Sequence, residues 1–177
     1  SLLDQYGIRF STSLFFGEDL LFHTEYLLRA ESYVYVPKRV YYYDVHSDSS
    51  SHRFSLPFLE NHARLLEELR QALEDRGALP LLETEFSCYV LSLITSALVG
   101  VVFSPRNAMG HQEKVALCEQ IQENRFCKTA IARRLQKGTL KRQILMFFFR
   151  IRWYWMTGLL CRLEHLRWER RMHGLEF

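Results

Sequence analysis

The sequence predicts an α+β chain that is mostly helical, with a short mixed opening over residues 1–54 and an all-helical remainder. Three observations predict it. Hydrophobic residues make up 48% and charged residues 24%, a balance that builds a packed core and excludes a disordered tail. Residues that favour β structure gather at Tyr33–Val36 and Val40–Tyr43, interrupted by Pro37. From Pro57 onward the character changes, and apolar residues recur at helical spacing.

Each element follows from local signals. Ser1–Tyr6 reads as the end of a helix, with Gly7 as its cap. Ile8–Phe10 is a candidate short strand, and Ser11–Gly17 a loop carrying Phe15 and Phe16. Leu20, Leu21, Leu27 and Leu28 form a stripe that predicts a helix over Glu18–Ala30. Ser47–Ser51 is a polar loop. Leu59, Leu66, Leu69 and Leu73 predict a helix over 59–73, with Glu60 and Arg64 paired on its outer face and Gly77 ending it. Pro80–Phe103 predicts a second long helix, and Ser104–Gly110 a turn containing Pro105 and Asn107. His111–Gln136 reads as helical with a break near Asn124. Gly138 separates it from a last helix over Leu140–Met172. The expected organisation is therefore 1–54, a helical accessory region over 55–137, and a basic aromatic helix over 138–177. No secretory signal opens the chain, and the amphipathic pattern begins at once, so further residues are expected before Ser1.

Charge is distributed unevenly. Residues 1–137 carry 15 Lys/Arg against 17 Asp/Glu, whereas residues 138–177 carry 8 against 3. The basic end coincides with Phe147–Phe149, Trp153–Trp155 and Trp168, interleaved with Arg150, Arg152, Arg162, Arg167, Arg170 and Arg171. That mixture suits a helix over 140–172 lying among anionic lipid headgroups, where aromatic rings and guanidinium groups both find partners. The plainer alternative is a helix docked on the core by its aromatic face. No nucleic-acid motif accompanies the arginines, so nucleic acid is not an expected partner. Phe86–Pro105 has no charge over 20 residues; its serines and threonines favour a buried helix, with a membrane span as the alternative. Cys88, Cys118, Cys127 and Cys161 form no C-x-x-C pair and no disulfide framework, and read as reduced, mostly buried thiols of a cytoplasmic protein.

The segment that carries chemistry is Phe16-Gly17-Glu18-Asp19-Leu20-Leu21-Phe22, which sets two adjacent carboxylates after a glycine at a helix start. First-turn acids are favoured by unpaired N–H groups and by the helix dipole, whatever else they do. The wider order adds to this: Ile8-Arg9-Phe10, then Gly17-Glu18-Asp19, then Val40-Tyr41-Tyr42-Tyr43 and a polar loop with His46 and Ser49. This resembles the inverting family 2 glycosyltransferases of GT-A fold, over roughly residues 1–54. The resemblance implies that residues 1–54 are the C-terminal remnant of a GT-A α/β domain, followed by an all-α tail. It implies that Asp19 is the general base on an acceptor hydroxyl and that Glu18 orients the base or the acceptor. It implies that His46 and Ser49 approach the donor pyrophosphate. Asp44 stands where the family often has Arg. The partners implied are a nucleotide-sugar donor and a glycan or glycolipid acceptor. The family holds its donor through an N-terminal half with an Asp-x-Asp motif and Mg²⁺ or Mn²⁺. No Asp-x-Asp occurs in this sequence, so no metal ligand is expected within it. The expected place of work is the cytoplasm, peripheral at the inner face of the cell membrane. The competing expectation is a non-catalytic helical module that binds a membrane surface or another protein, with Glu18 and Asp19 serving only as helix-start residues.

Overall fold

A computed structural model of the 177-residue chain describes residues 1–39, 41–42, 56–133 and 139–173. It is mostly helical, and no strand occurs among the described residues. Internal contacts divide it into two compact units, Ser1–Leu82 and Glu83–Phe177.

In the first unit α1 (Leu2–Tyr6) starts where the Ser1 hydroxyl accepts the Asp4 N–H, and it ends at left-handed Gly7. A loop leads to α2 (Glu18–Leu27), and α3 (Leu56–Asp75) packs against α2. The apolar stripe of α3 supplies Leu65, Leu66, Leu69 and Leu73, all buried, and Ile8, Leu14 and Leu21 complete this core.

Among the described residues of 1–54 the expected β content is not observed. Ile8–Phe10 and Tyr33–Val36 are irregular, and Tyr33, Val34 and Tyr35 are more than 80% exposed. A strand needs a neighbour to take its N–H and C=O groups, and no described segment runs alongside. Phe10 instead stacks on Phe22 with ring centroids 4.3 Å apart. At Pro37 the chain makes a tight three-residue turn, Lys38 N–H donating to the Val36 carbonyl at 2.7 Å. Val40 and Tyr43 of the second expected strand lie outside the described residues.

The second unit is built around α4 (Leu79–Ala97) from Glu83 onward, prolonged by a wider π turn over Leu98–Val102. Val90, Ile94, Leu98 and Val102 are almost wholly buried along it. Two of its hydroxyls sit in this apolar setting by bonding within the helix: Ser87 donates to the Glu83 carbonyl and Thr95 to the Leu91 carbonyl, each at 2.8 Å. The Leu79–Val102 segment is long and apolar enough to cross a membrane by length and composition; in this structure 56% of its most apolar window is buried.

Asn107 closes the π turn, its amide donating to the carbonyls of Val101 at 2.9 Å and Val102 at 3.1 Å. Next come α5 (His111–Glu123) and α6 (Arg125–Ala132). They separate at Asn124, whose side chain accepts the N–H groups of Phe126 and Cys127, so the expected break is present.

The single helix expected over 140–172 is two helices, α7 (Leu140–Arg150) and α8 (Tyr154–His173). The break falls at Arg152, whose φ of 60° is left-handed although it is not a glycine. Contacts from α5 hold it there. Arg152 pairs with Glu119 at 3.8 Å and Glu123 at 3.2 Å, and the Gln122 amide donates to the Phe149 carbonyl at the end of α7. Buried Phe149, Tyr154, Thr157 and Cys161 then face the core from both helices.

Candidate functional site

Gly17, Glu18 and Asp19 form the start of α2. Gly17 has φ 83°, in the left-handed region that disfavours side chains. A Cβ there would lie 2.4 Å from Leu65 Cδ2 on α3, so the turn needs glycine for its conformation and for its close approach.

The loop ahead of this turn is fastened to one face of α3. Asn61, 4% exposed, makes two bonds with it: Oδ1 accepts the Phe15 N–H at 2.9 Å and Nδ2 donates to the Phe16 carbonyl at 2.8 Å. Arg64, expected to pair with Glu60, donates instead to the Ser13 carbonyl at 2.9 Å. Glu68 accepts from Ser13 Oγ at 2.6 Å and Ser11 Oγ at 3.1 Å. The Phe16 ring stacks on His62, centroids 5.5 Å apart. Positions 61, 64, 65 and 68 lie on one side of a helix by their spacing, so α3 acts as a jig for the turn.

On this turn Glu18 is half-buried and Asp19 is exposed. Asp19 Oδ1 accepts the Leu20 N–H at 2.7 Å, and Oδ2 has no partner among the described residues. The first turn of α2 directs its N–H groups toward this end, and the helix dipole favours negative charge there. The arrangement is a fixed, solvent-accessible carboxylate with one oxygen held and the other open. Glu18 and Asp19 are consecutive residues of this first turn, so their side chains leave the helix about 100° apart. His46 and Ser49 lie outside the described residues. Among the described residues no group of His, Cys, Asp or Glu side chains is placed to hold a metal ion.

Asn61, Leu65 and Glu68 carry no expectation from the sequence, and Arg64 reads there only as a surface partner of Glu60. The signal was present in part: Asn61, Arg64 and Glu68 punctuate a leucine-rich helix at i, i+3 and i+7. Their partners stand at least 45 residues away in sequence, as Asn61 and Phe16 do, and no local pattern reveals such pairings.

Two further features bear on function. The α7–α8 surface exposes Phe147, Ile151, Trp153, Trp155, Leu163 and Leu166, while Phe149 and Tyr154 turn inward. The aromatic residues therefore divide between the core and the solvent. All four cysteines are free thiols, and Cys118, Cys127 and Cys161 are buried. Burial disfavours the thiolate, pushing Cys118 and Cys127 up to about 12 and raising Cys161 as well. None of these three is poised as a nucleophile.

That shift makes a prediction. Below the ordinary thiol value of 9.0 both folded and unfolded chains keep these protons, and the stabilisation is complete. As the pH climbs from about 9 toward 12 the unfolded chain releases protons that the folded chain retains, so stability falls. Urea midpoints are expected to drop between about pH 8 and about pH 10.5, and the drop is expected to shrink in a Cys118→Ala, Cys161→Ala variant. A drop of the same size in that variant would assign the alkaline instability to other groups.

Comparison of the chain with protein-family models, with curated proteins and with solved structures returns no match.

Proposed function

We propose that this chain is the acceptor-side portion of an inverting, nucleotide-sugar-dependent glycosyltransferase, in which Asp19 is the general base. The observation that carries this reading is the Asp19 carboxylate, exposed at the head of α2 on a turn clamped by Asn61 and Leu65. An alcohol is a poor nucleophile at neutral pH. A carboxylate at hydrogen-bond distance takes its proton as the oxygen attacks the anomeric carbon from the face opposite the leaving group. The acceptor oxygen–carbon bond forms, the carbon–phosphate-oxygen bond breaks, the proton passes to Asp19 Oδ2, and a nucleoside diphosphate leaves. Rigidity matters because misplacing the base by an ångström forfeits much of the rate. Glu18, beside it, orients the acceptor or the base.

In this reading residues 1–54 are the last part of a GT-A α/β domain. The exposed, β-favouring Tyr33–Val36 supports it, because such a segment suits an edge awaiting a sheet partner from the donor-binding portion. His46 and Ser49 are assigned to the donor pyrophosphate. Mg²⁺ or Mn²⁺ belongs to the donor-binding portion, where it neutralises charge on the departing diphosphate. The acceptor class is a hydroxyl of a glycan or glycolipid. Asp19→Asn tests the assignment: transfer by the complete gene product is expected to collapse while folding stands.

The exposed aromatic residues of α7 and α8 favour a second property. They share this stretch with Arg150 and with Lys141 and Arg167, which both pair with Glu164 and leave net positive charge there, a combination suited to an anionic bilayer surface and to a cytoplasmic, membrane-peripheral enzyme. Binding to phosphatidylglycerol vesicles is expected to weaken with added salt and to weaken in Phe147→Ser, Trp153→Ser. Equal binding to neutral vesicles, or no change in the variant, would refute the membrane assignment.

A further inference from the structure

The second unit contains a cavity of about 280 Å³ lined by no residue of the α2 turn. It is framed by the turn after the π segment, the first turn of α5, and α8. Its apolar wall is Phe103, Tyr154, Trp155 and Leu159. His111, Lys114 and Arg162 also line it, and no Asp or Glu does.

Each part has a structural cause. Trp155, Leu159 and Arg162 lie at i, i+4 and i+7, so one face of α8 presents an indole, an isobutyl group and a guanidinium in a row. Gly158 lies inside that helix, just past its first turn, where glycine costs about 1 kcal/mol relative to alanine. A Cβ at Gly158 would lie 2.9 Å from two carbons of the Phe103 ring, so glycine lets that ring rest on the helix backbone and floor the cavity. Glu113, the nearest acid in sequence on α5, is turned away to accept the Gly110 N–H at 2.7 Å. Lys114 Nζ spends one donor on the Asn107 carbonyl at 3.0 Å, which fixes the ammonium group. Arg162 has no ion-pair partner among the described residues. Tyr154 gives its hydroxyl to Gln122 Oε1 at 3.3 Å, leaving its ring as wall.

We infer that this cavity binds a phosphate-bearing amphiphile, with the phosphate on Lys114, Arg162 and His111 and an alkyl or acyl body along Trp155 and Leu159. Cations without a lining carboxylate select an anion, and a guanidinium with an ammonium matches phosphate oxygens. The aromatic and aliphatic wall selects the apolar body. The ammonium and guanidinium come from different elements, α5 and α8, so the phosphate would also tie those helices together.

Calorimetric titration of the protein with hexyl phosphate, inorganic phosphate and hexyl glucoside tests the site. Hexyl phosphate is expected to bind saturably with one ligand per chain. Loss of one charge-assisted contact in Arg162→Glu is expected to weaken it at least about tenfold. Arg162 is exposed, so this variant is expected to keep the parent melting temperature, and Lys114→Gln serves as an independent second probe. Absence of saturable hexyl phosphate binding would overturn the site. So would equal affinity for hexyl glucoside, equal affinity for inorganic phosphate, or indifference to both substitutions. Competition separates the two sources of such a ligand. Displacement from phosphatidic acid vesicles by hexyl phosphate assigns the cavity to a lipid headgroup, whereas saturable binding without displacement assigns it to a soluble phosphate monoester. The outcome is independent of Asp19, since no residue of the α2 turn lines the cavity.

Discussion

Gly17→Ala is expected to destabilise the first unit by about 2–4 kcal/mol and to disturb the Asp19 turn at the same time. The effect has two parts. A non-glycine residue at φ 83° costs about 1–2 kcal/mol in backbone conformation. The new methyl group would also sit 2.4 Å from Leu65 Cδ2, and Leu65 is fully buried, so it has little room to turn away. A double-mutant cycle separates the parts. Leu65→Ala alone leaves a cavity and destabilises. Combined with Gly17→Ala it is expected to be less damaging than the two single effects added, because the added methyl enters the space vacated. Urea unfolding of the four proteins gives the coupling directly. Simple additivity would mean that the contact between Gly17 and Leu65 does not set the position of the turn.

How much of this was legible in the sequence depends on the range of the interaction. Gly7 and Asn124 act within a few residues of themselves, and both stand at the element boundaries that their chemistry predicts. The leucine stripe of the third helix marks its buried face, although Leu65, the most buried leucine there, stands outside the stripe that the sequence spacing picks out. The break at Arg152 was illegible. No glycine or proline stands there, and the left-handed turn is held by Glu119, Glu123 and Gln122 from another helix. Tyr33–Val36 fails in the opposite sense. Its residues favour β structure, but a strand is defined by its neighbour, and none of the described residues supplies one.

The candidate site divides the same way. Glu18 and Asp19 at a helix start were readable from Gly17 and the apolar run that follows. The clamp built from Asn61, Arg64 and Glu68 was not, because it joins a loop to a helix far along the chain. This clamp holds the loop ahead of the turn, and the proposed role of Asp19 draws on it. Capping a helix asks only for a carboxylate near unpaired N–H groups. Positioning a base asks for the rigid support that the third helix provides.

The measurement that bears most directly on the central claim is sugar transfer by the complete gene product with Asp19→Asn. Asparagine keeps the size of the side chain and its bond to the Leu20 N–H, but it cannot accept the acceptor's proton. The rate is expected to fall about 10²–10⁴-fold, with donor binding and melting temperature close to the parent values. The parent product is expected to carry the anomeric configuration opposite to that of the donor. Glu18→Gln, beside the reacting proton rather than on it, is expected to lose less. Transfer by Asp19→Asn at the parent rate, from a protein that folds and binds donor normally, would contradict the assignment and leave Glu18 and Asp19 as helix-start residues alone.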